Sequence, residues 1–207
     1  MVWRKVLPLH LAGYYGWYKP LWYSSVEYLV LQPSLISINE KILLKRPDII
    51  PQKIYTLPQL LLRIAQWKFL GKTIAFTNGA FDILHPGHIF SLSQAAKEAD
   101  YLIVGINSDD SVKRLKGENR PVNNQEARTL LLASLLMVDA VVIFEEDTPL
   151  ELINAIKPDV LVKGGDYTLE QIAGAREVIA NGGRVVINPI IEGFSTSTMI
   201  ERMKGQD

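Results

Sequence analysis

Two histidines three residues apart, His85 and His88, are the side chains of this sequence best suited to chemistry. They flank a Pro-Gly pair that follows an apolar run typical of a buried strand and precedes a predicted helix. Imidazole N–H groups donate hydrogen bonds to phosphate oxygens, and backbone amides at the start of a helix attract anions. Gly79 and Gly87 would let the backbone approach such a ligand closely. The pattern therefore predicts that this turn binds phosphate groups.

A metal site is the alternative explanation for two neighbouring histidines. The chain has three histidines in total and no cysteine, and the nearest carboxylate to the pair is Asp82. Because a zinc site needs further ligands, we predict that the protein itself holds no metal. Mg²⁺ is instead expected to arrive with the phosphate ligand and to bridge phosphate oxygens, mostly through water.

A basic stretch follows the second predicted strand and contains Lys113, Arg114, Lys116 and Arg120. It is either a solvated face or a mobile loop that closes on bound phosphate groups. Cations would stabilise such groups, so we favour the loop, with Lys116 as its preferred member. Arg128, on the next predicted helix, either forms a structural ion pair or reaches the nucleotide.

Two further polar segments are predicted at the same edge of the fold. Residues 163–167 follow a predicted strand and form either an ordinary Gly-Gly turn or a site where Asp166 accepts hydrogen bonds from sugar hydroxyls. Ser195, Thr196 and Ser197 open a predicted last helix. Their hydroxyls either cap that helix or, with its amides, bind the β- and γ-phosphates of a nucleotide.

Short apolar runs alternate with helical patterns over residues 53–207, which we interpret as one domain. Continuously apolar strands separated by helices are typical of a parallel sheet covered on both faces. We therefore predict an α/β fold: a Rossmann-like parallel five-stranded sheet with helices on both faces and right-handed crossovers. Ligands in such folds bind beyond the carboxyl ends of the strands. The predicted strands are 73–77, 101–106, 140–144, 160–162 and 185–187, and the predicted helices include 57–69, 87–99, 125–137 and one opening at Thr148-Pro149.

Residues 1–52 differ from the rest in composition, because they contain three of the four tryptophans and an irregular aromatic run. We interpret them as an N-terminal extension that packs on the domain or on another subunit. A docking site for a partner or a lipid surface is the alternative. Such an aromatic extension favours self-association, so we expect a homo-oligomer.

The overall composition argues against several classes of protein. The 207 residues carry 22 basic and 22 acidic side chains, which is not the basic excess of a nucleic-acid binder. The absence of cysteine excludes disulfides and fits the reducing cytoplasm. No apolar run approaches the roughly 20 residues that span a bilayer, and no clean cleavage site for a signal peptide follows the N-terminus. We expect a cytoplasmic protein with no nucleic-acid partner and no transmembrane segment.

The run T-N-G-A-F-D-I-L-H-P-G-H at residues 77–88 resembles the signature of the HxGH, or cytidylyltransferase-like, nucleotidyltransferases. Over about residues 53–205 the chain is similar to the adenylyltransferase domain of the bacterial heptose-phosphate enzymes. That resemblance implies transfer of AMP from ATP to D-glycero-β-D-manno-heptose 1-phosphate, which gives ADP-heptose for the inner core of lipopolysaccharide. The segments that carry it are 108–117, 120–122, 144–153, 161–167 and 193–197.

Chemistry and resemblance together assign a role to each candidate residue. His85, His88 and Lys116 are the expected catalytic residues. The expected substrate-binding residues are Asp82, Arg120 and Tyr167. The expected nucleotide-binding residues are Thr77, Asn78, Gly79, Ala80, Phe81, Gly87, Arg128, Lys163, Gly164, Asp166, Ser195, Thr196 and Ser197.

The chain departs from the family in two places. The family usually has cysteine where this chain has Ala80, and we expect one small buried residue to replace another without effect. The family enzyme is often fused to an N-terminal sugar kinase, for which this chain has no room, so a separate chain is expected to supply the kinase. Ile200 stands where related enzymes for nicotinamide mononucleotide or phosphopantetheine carry arginine, which argues against those substrates.

Two other functions stay open at this point. One is a cytidylyltransferase for glycerol 3-phosphate or ethanolamine phosphate, and the base could also be guanine. The other is a scaffold that binds a nucleotide without turnover and docks through its aromatic N-terminus.

Overall fold

The computed structural model describes residues 47–189, 196, 199 and 200. The expected N-terminal extension lies outside the described residues up to position 46, as do Ser195 and Ser197. None of the helices that the structure describes is both long and apolar enough to span a bilayer.

Six strands form one sheet within the described residues, and every pair of neighbours is parallel. The strands are β1 Ile54–Tyr55, β2 Ile74–Gly79, β3 Tyr101–Asn107, β4 Ala140–Phe144, β5 Val160–Gly164 and β6 Arg184–Asn188. Their order across the sheet is β1-β4-β3-β2-β5-β6. The chain therefore builds β3 and β4 on one side of β2, and later returns to place β5 and β6 on its other side.

The predicted Rossmann-like parallel sheet is confirmed, but the predicted count of five strands is wrong. The additional strand is β1, which pairs with Val141 and Val142 of β4 at one edge of the sheet. Its two residues are too few to show either a period of two or a continuous apolar run, so the sequence pattern alone does not reveal it.

Besides the helical residues 196, 199 and 200, six α-helices occur within residues 47–189. They are α1 Leu57–Phe69, α2 Pro86–Ala96, α3 Asp109–Lys116, α4 Gln125–Ala133, α5 Leu150–Ile156 and α6 Ala175–Ala180, with short 3-10 turns at Pro47–Ile49, Pro51–Lys53 and Leu169–Gln171. Helix α1 matches its predicted bounds, whereas α2 and α4 end three and four residues earlier than predicted. Helix α5 begins after Pro149, which is its N-cap in place of Thr148.

Helix α3 lies where the sequence predicts a mobile basic loop. Ser108 caps it by accepting a hydrogen bond from the Ser111 amide at 3.2 Å. Two aspartates occupy its first turn and three basic residues its last, which matches the direction of the helix dipole. Of the basic residues predicted in that loop, Arg120 lies beyond Gly117, where the helix ends.

Alternating residues of β2 pack toward the two faces of the sheet. Ile74 and Phe76 share one buried apolar cluster with residues of α1, α5 and α6. Ala75 belongs to a second cluster with residues of α2 and α4. Helices therefore cover both faces, as predicted. The core holds β2 at the centre of the sheet, and the carboxyl end of β2 lies at the carboxyl-terminal edge.

Three aspartates close the opposite, amino-terminal edge of the sheet. The carboxylates of Asp159, Asp139 and Asp100 accept hydrogen bonds from the amides of Ile74, Leu102 and Thr73 at 2.8, 2.8 and 2.9 Å. The Thr73 amide, followed by the Lys72 ammonium, lowers the pKa of Asp100 to about 2. The amides at the strand starts are thus paired with carboxylates of the protein.

Candidate active site

The turn after β2 is built around the aromatic ring of Phe81. Phe81 has a positive φ of 46° and is 9% exposed, so the ring folds back into the protein. A Cβ on Gly79 would lie 3.1 Å from that ring, which makes glycine the residue that fits there. The Phe81 ring meets the His88 ring edge to face, with centroids 5.1 Å apart. Phe81 therefore supports a histidine and is not itself open to a nucleotide.

The two histidines lie side by side at the start of α2. His85 is the N-cap residue, and its Nδ1 accepts a hydrogen bond from the His88 amide at 3.4 Å. The imidazole rings stack with centroids 3.8 Å apart and planes 18° from parallel. Because Nδ1 of His85 accepts, the neutral ring carries its proton on Nε2. The structure thus brings the pair together at the carboxyl end of the central strand.

Both imidazoles are neutral at pH 7. Burial, then the charges of His85 and Lys116, lower the pKa of His88 to about 4, while the Ile83 carbonyl acts in the opposite direction. Burial lowers the pKa of His85 as well. Each ring therefore offers one N–H donor, and neither adds positive charge before a ligand binds.

The positive charge of the site comes from Lys116 and Arg120. Partial burial and the Arg120 guanidinium lower the pKa of Lys116, and the Asp82 carboxylate offsets part of this effect. Lys116 also acts electrostatically on His88. The last turn of α3 and the loop after it thus place two cations beside the histidine turn, an arrangement suited to an anionic ligand.

Asp82 and Arg120 form a tight ion pair at the base of this loop. Arg120 Nε lies 2.6 Å from Asp82 Oδ2, and the amides of Val122 and Asn123 donate to Oδ1 at 2.8 and 2.9 Å. Burial alone would raise the pKa of Asp82, but these amides and the guanidinium lower it overall. Asp82, predicted to bind substrate, is 2% exposed and directed toward protein groups.

Arg128, predicted to bind the nucleotide, is fully buried beneath the site. Its guanidinium donates to the carbonyl oxygens of Ala80 and Asn123 at 2.6 and 3.1 Å, and to the Asp109 carboxylate at 2.6 Å. Arg128 therefore joins the turn after β2, the start of α3 and the loop before α4. The role that these contacts support is to hold three segments in place.

Lys163, Asp166 and Tyr167 lie at or beyond the end of β5, on the other side of β2. Lys163, at the end of β5, donates to Oδ1 of Asn78 at 2.9 Å, and burial lowers its pKa. This bond crosses the point where the strand order reverses, where ligands bind in folds of this kind. Asp166 and Tyr167 are exposed beyond β5, within reach of solvent.

Small and hydroxyl side chains line the same edge. Thr77 is buried in β2, and Gly87 lies in the first turn of α2. A Cβ on Gly164 would lie 3.0 Å from the Ser91 hydroxyl, so this glycine permits a close approach between β5 and α2. The Thr196 hydroxyl lies 3.5 Å from the Ile83 carbonyl, which brings that residue to the histidine turn.

Sequence reasoning missed two residues that shape the site. Asn123 donates its side-chain amide to the Asp82 carbonyl at 2.7 Å, and Asp109 pairs with Arg128. The partners are 41 and 19 residues apart in sequence, and no periodic pattern connects them. The one available signal was the Ser108-Asp109-Asp110 helix start, which places Asp109 at the carboxyl end of β3.

Comparison with known proteins agrees with this fold. The profile of the cytidylyltransferase-like family matches residues 76–202, more than half of the chain. Bifunctional protein HldE of Rhodopseudomonas palustris strain HaA2 is 56% identical over 146 residues, which cover 70% of this chain and 30% of that protein. Bifunctional protein HldE of Nitrobacter winogradskyi is 49% identical over 176 residues, 85% of this chain and 34% of that protein.

A solved structure supports the fold alone. Pantoate-beta-alanine ligase from Francisella tularensis superposes with a TM-score of 0.50 at 16% identity, over 73% of this chain and 76% of that one. The chain belongs to the cytidylyltransferase-like family, and the expected class of enzyme, a nucleotidyltransferase, is confirmed at that level. It spans about a third of the length of the curated relatives it matches.

Proposed function

We propose that the chain transfers AMP from ATP to a sugar 1-phosphate, D-glycero-β-D-manno-heptose 1-phosphate, and releases pyrophosphate. The observation that carries the proposal is the stacked His85–His88 pair at the carboxyl end of β2, with Lys116 and Arg120 beside it. Identity of 49–56% to the bifunctional HldE proteins supports a transferase of this family, and the heptose substrate is what the resemblance of residues 53–205 implies.

The proposed reaction is a displacement at the α-phosphorus of ATP. An oxygen of the sugar phosphate forms a bond to that phosphorus, and the bond from the α-phosphorus to the bridging oxygen of the β-phosphate breaks. Pyrophosphate leaves with the electron pair. Since a phosphomonoester is largely dianionic at pH 7, the attacking oxygen needs no general base. The protein has to align the reactants and stabilise the charge that shifts to the leaving group.

The histidines are suited to the α- and β-phosphates. As neutral rings they donate N–H groups without a fixed positive charge, and an arriving polyphosphate favours their protonation. Lys116 supplies the cation that stabilises the departing pyrophosphate, and Arg120 binds the acceptor phosphate. Lys163, Asp166, Thr196 and the hydroxyls of Ser195 and Ser197 complete the nucleotide side of the proposed site.

Mg²⁺ would accompany ATP in this reaction and supply further charge neutralisation at the phosphates. Within the described residues no three side chains of histidine, cysteine, aspartate or glutamate are grouped to hold a metal. The carboxylate nearest the histidines, Asp82, is occupied by protein donors. Because Asp82 is occupied in this way, we expect the Mg²⁺ ion to be held mainly by the nucleotide and water.

The setting of the enzyme belongs to the same proposal. We expect it to act in the cytoplasm, to receive its substrate from a sugar kinase and to form a homo-oligomer. No nucleic-acid partner is expected, since the 22 basic and 22 acidic residues balance.

The family description favours one alternative, a cytidylyltransferase for glycerol 3-phosphate or ethanolamine phosphate. A pyrophosphate-release assay with ATP, CTP, GTP and UTP against heptose 1-phosphate, glycerol 3-phosphate and ethanolamine phosphate separates the two. We expect turnover with ATP and heptose 1-phosphate. Turnover confined to CTP with either small acceptor would replace the proposal by the alternative. ATP binding without product from any acceptor would favour a scaffold.

A further inference from the structure

We infer that Asp82 is a positioning residue that never touches substrate, and that it presents Arg120 Nη2 to the phosphate of the acceptor. The inference rests on the proposed function and revises the expectation that Asp82 binds substrate directly. It follows from which atoms of the pair are occupied and which are left without a partner.

Both oxygens of the Asp82 carboxylate accept hydrogen bonds from the protein, and burial closes the carboxylate to a sugar hydroxyl. Oδ2 accepts from Arg120 Nε, and Oδ1 accepts from the amides of Val122 and Asn123. The side chain is 1% exposed. A ligand could reach this carboxylate only by displacing three charge-assisted hydrogen bonds, which a hydroxyl cannot compensate.

Arg120, unlike Asp82, has a polar atom without a partner. Its Nε is held by Asp82, whereas its Nη2 is buried and lacks a hydrogen-bond partner among the described residues. A buried charged donor without a partner is costly, so it is retained where a ligand supplies the acceptor. The fixed geometry of a guanidinium suits a phosphate oxygen. The charge of Lys116 beside it further favours an anion at this place.

The loop that carries Arg120 is tied to the histidine turn by the same aspartate. Asn123 donates to the backbone carbonyl of Asp82, and Arg128 donates to the backbone carbonyl of Asn123. Asp82 and His85 belong to one turn. The position of Arg120, which binds the acceptor, is therefore fixed relative to the histidines, which bind the nucleotide. Asp82 thereby fixes the distance between the two reactants.

Kinetics of four variants test this assignment: Arg120→Ala, Asp82→Asn, the double variant Asp82→Asn/Arg120→Ala, and Asp147→Asn. For Arg120→Ala we expect the KM for the acceptor phosphate to rise at least about tenfold, with the KM for ATP changing less than about threefold. For Asp82→Asn we expect the same pattern, because the guanidinium loses its anchor. In the Arg120→Ala background, Asp82→Asn should add less than about twofold.

Asp147→Asn is the matched control. It removes the carboxylate partner of Arg114, an Arg–Asp pair of 2.7 Å that is about half exposed and joins α3 to the segment after β4. Unchanged KM values are expected for both substrates. A rise in acceptor KM equal to that of Asp82→Asn would show that any lost ion pair has this effect, and would overturn the inference.

A milder variant keeps the test valid if Asp82→Asn does not fold. Asn123→Ala removes only the bond to the Asp82 carbonyl, and its smaller rise in acceptor KM should also vanish in the Arg120→Ala background. Effects of Asp82 and Arg120 that multiply would show that Asp82 acts independently, and would overturn the inference alone. Wild-type protein inactive toward every acceptor would overturn the proposed function, and this inference with it.

Discussion

Polar groups at the two ends of the sheet differ in whether they have hydrogen-bond partners within the protein. At the amino-terminal edge, Asp100, Asp139 and Asp159 pair with the amides that begin the strands. At the carboxyl-terminal edge, Arg120 Nη2 is buried without a hydrogen-bond partner. No acceptor meets the distance and angle of a hydrogen bond at the buried His88 Nδ1 either, although the Ile83 carbonyl acts on that ring. Only one other such atom, Trp67 Nε1, occurs among the described side chains.

The difference separates stability from binding. A strand start closed by a carboxylate lowers the free energy of the folded state and offers nothing to a ligand. An edge with unpartnered donors costs stability until a ligand accepts their hydrogen bonds. Substitutions at the two edges should therefore affect different measurements.

The largest expected effect is the loss of activity in His88→Ala. Removing one donor to the transition state costs roughly 10²–10³ in rate at sites of this kind, and we expect at least that in kcat/KM. The midpoint of unfolding should change little, because the ring makes few polar contacts within the protein. His88→Asn, which keeps an N–H donor, should recover part of the activity. Near-normal pyrophosphate release by His88→Ala would contradict the role of the pair.

At the opposite edge, Asp159→Ala should change stability and spare activity. It leaves the buried Ile74 amide without its acceptor, which costs about 1–3 kcal/mol in the free energy of unfolding. Denaturant unfolding measures this change, and kcat/KM of the folded protein should stay within about twofold of wild type. A large loss of kcat/KM with unchanged stability would remove the distinction between the two edges.

The pH at which stability is lost should also differ between the two edges, and these effects should be smaller. Folded His88, whose pKa is about 4, resists protonation, whereas the unfolded histidine takes up a proton near pH 6.5. Stability should therefore fall as the pH drops from 6.5 to 4, and His88→Ala should weaken this dependence.

Asp100 should act in a lower window. Its pKa is about 2 in the folded protein and 3.8 in the unfolded chain, so its stabilising effect is lost as the pH falls from 3.8 to 2. Thermal unfolding of wild type, His88→Ala and Asp100→Asn across both windows gives the comparison. Identical curves for wild type and His88→Ala above pH 4 would show that folding does not lower the pKa of His88.

The central part of the fold could be predicted because it rests on local pattern. Apolar runs for β2 to β6 stand between helical segments, and core strands of a parallel sheet read as continuous apolar sequence. The histidine turn could be predicted for the same reason, since its residues are adjacent in the chain. Two elements were not predicted. Strand β1 has only two residues, and the basic composition of α3 led to a loop being predicted where a capped helix lies.

The contacts of the two arginines could not be read from the sequence. Arg128 lies among polar and apolar residues that suggest an ordinary amphipathic helix, yet it is fully buried. Complete burial of an arginine requires several acceptors, and these come from segments up to 48 residues away. Asp82 and Arg120 are likewise 38 residues apart, so only the tertiary structure joins them.

The Arg128 guanidinium has a consequence for how this site can diversify. Because one side chain bonds to residues of three segments, a change of backbone path in any one of them must be matched in the other two. Asp166 and Tyr167 stand outside this junction and face solvent. Redesign of acceptor preference should begin at Tyr167, where new contacts can be tried without changing the three segments that Arg128 joins.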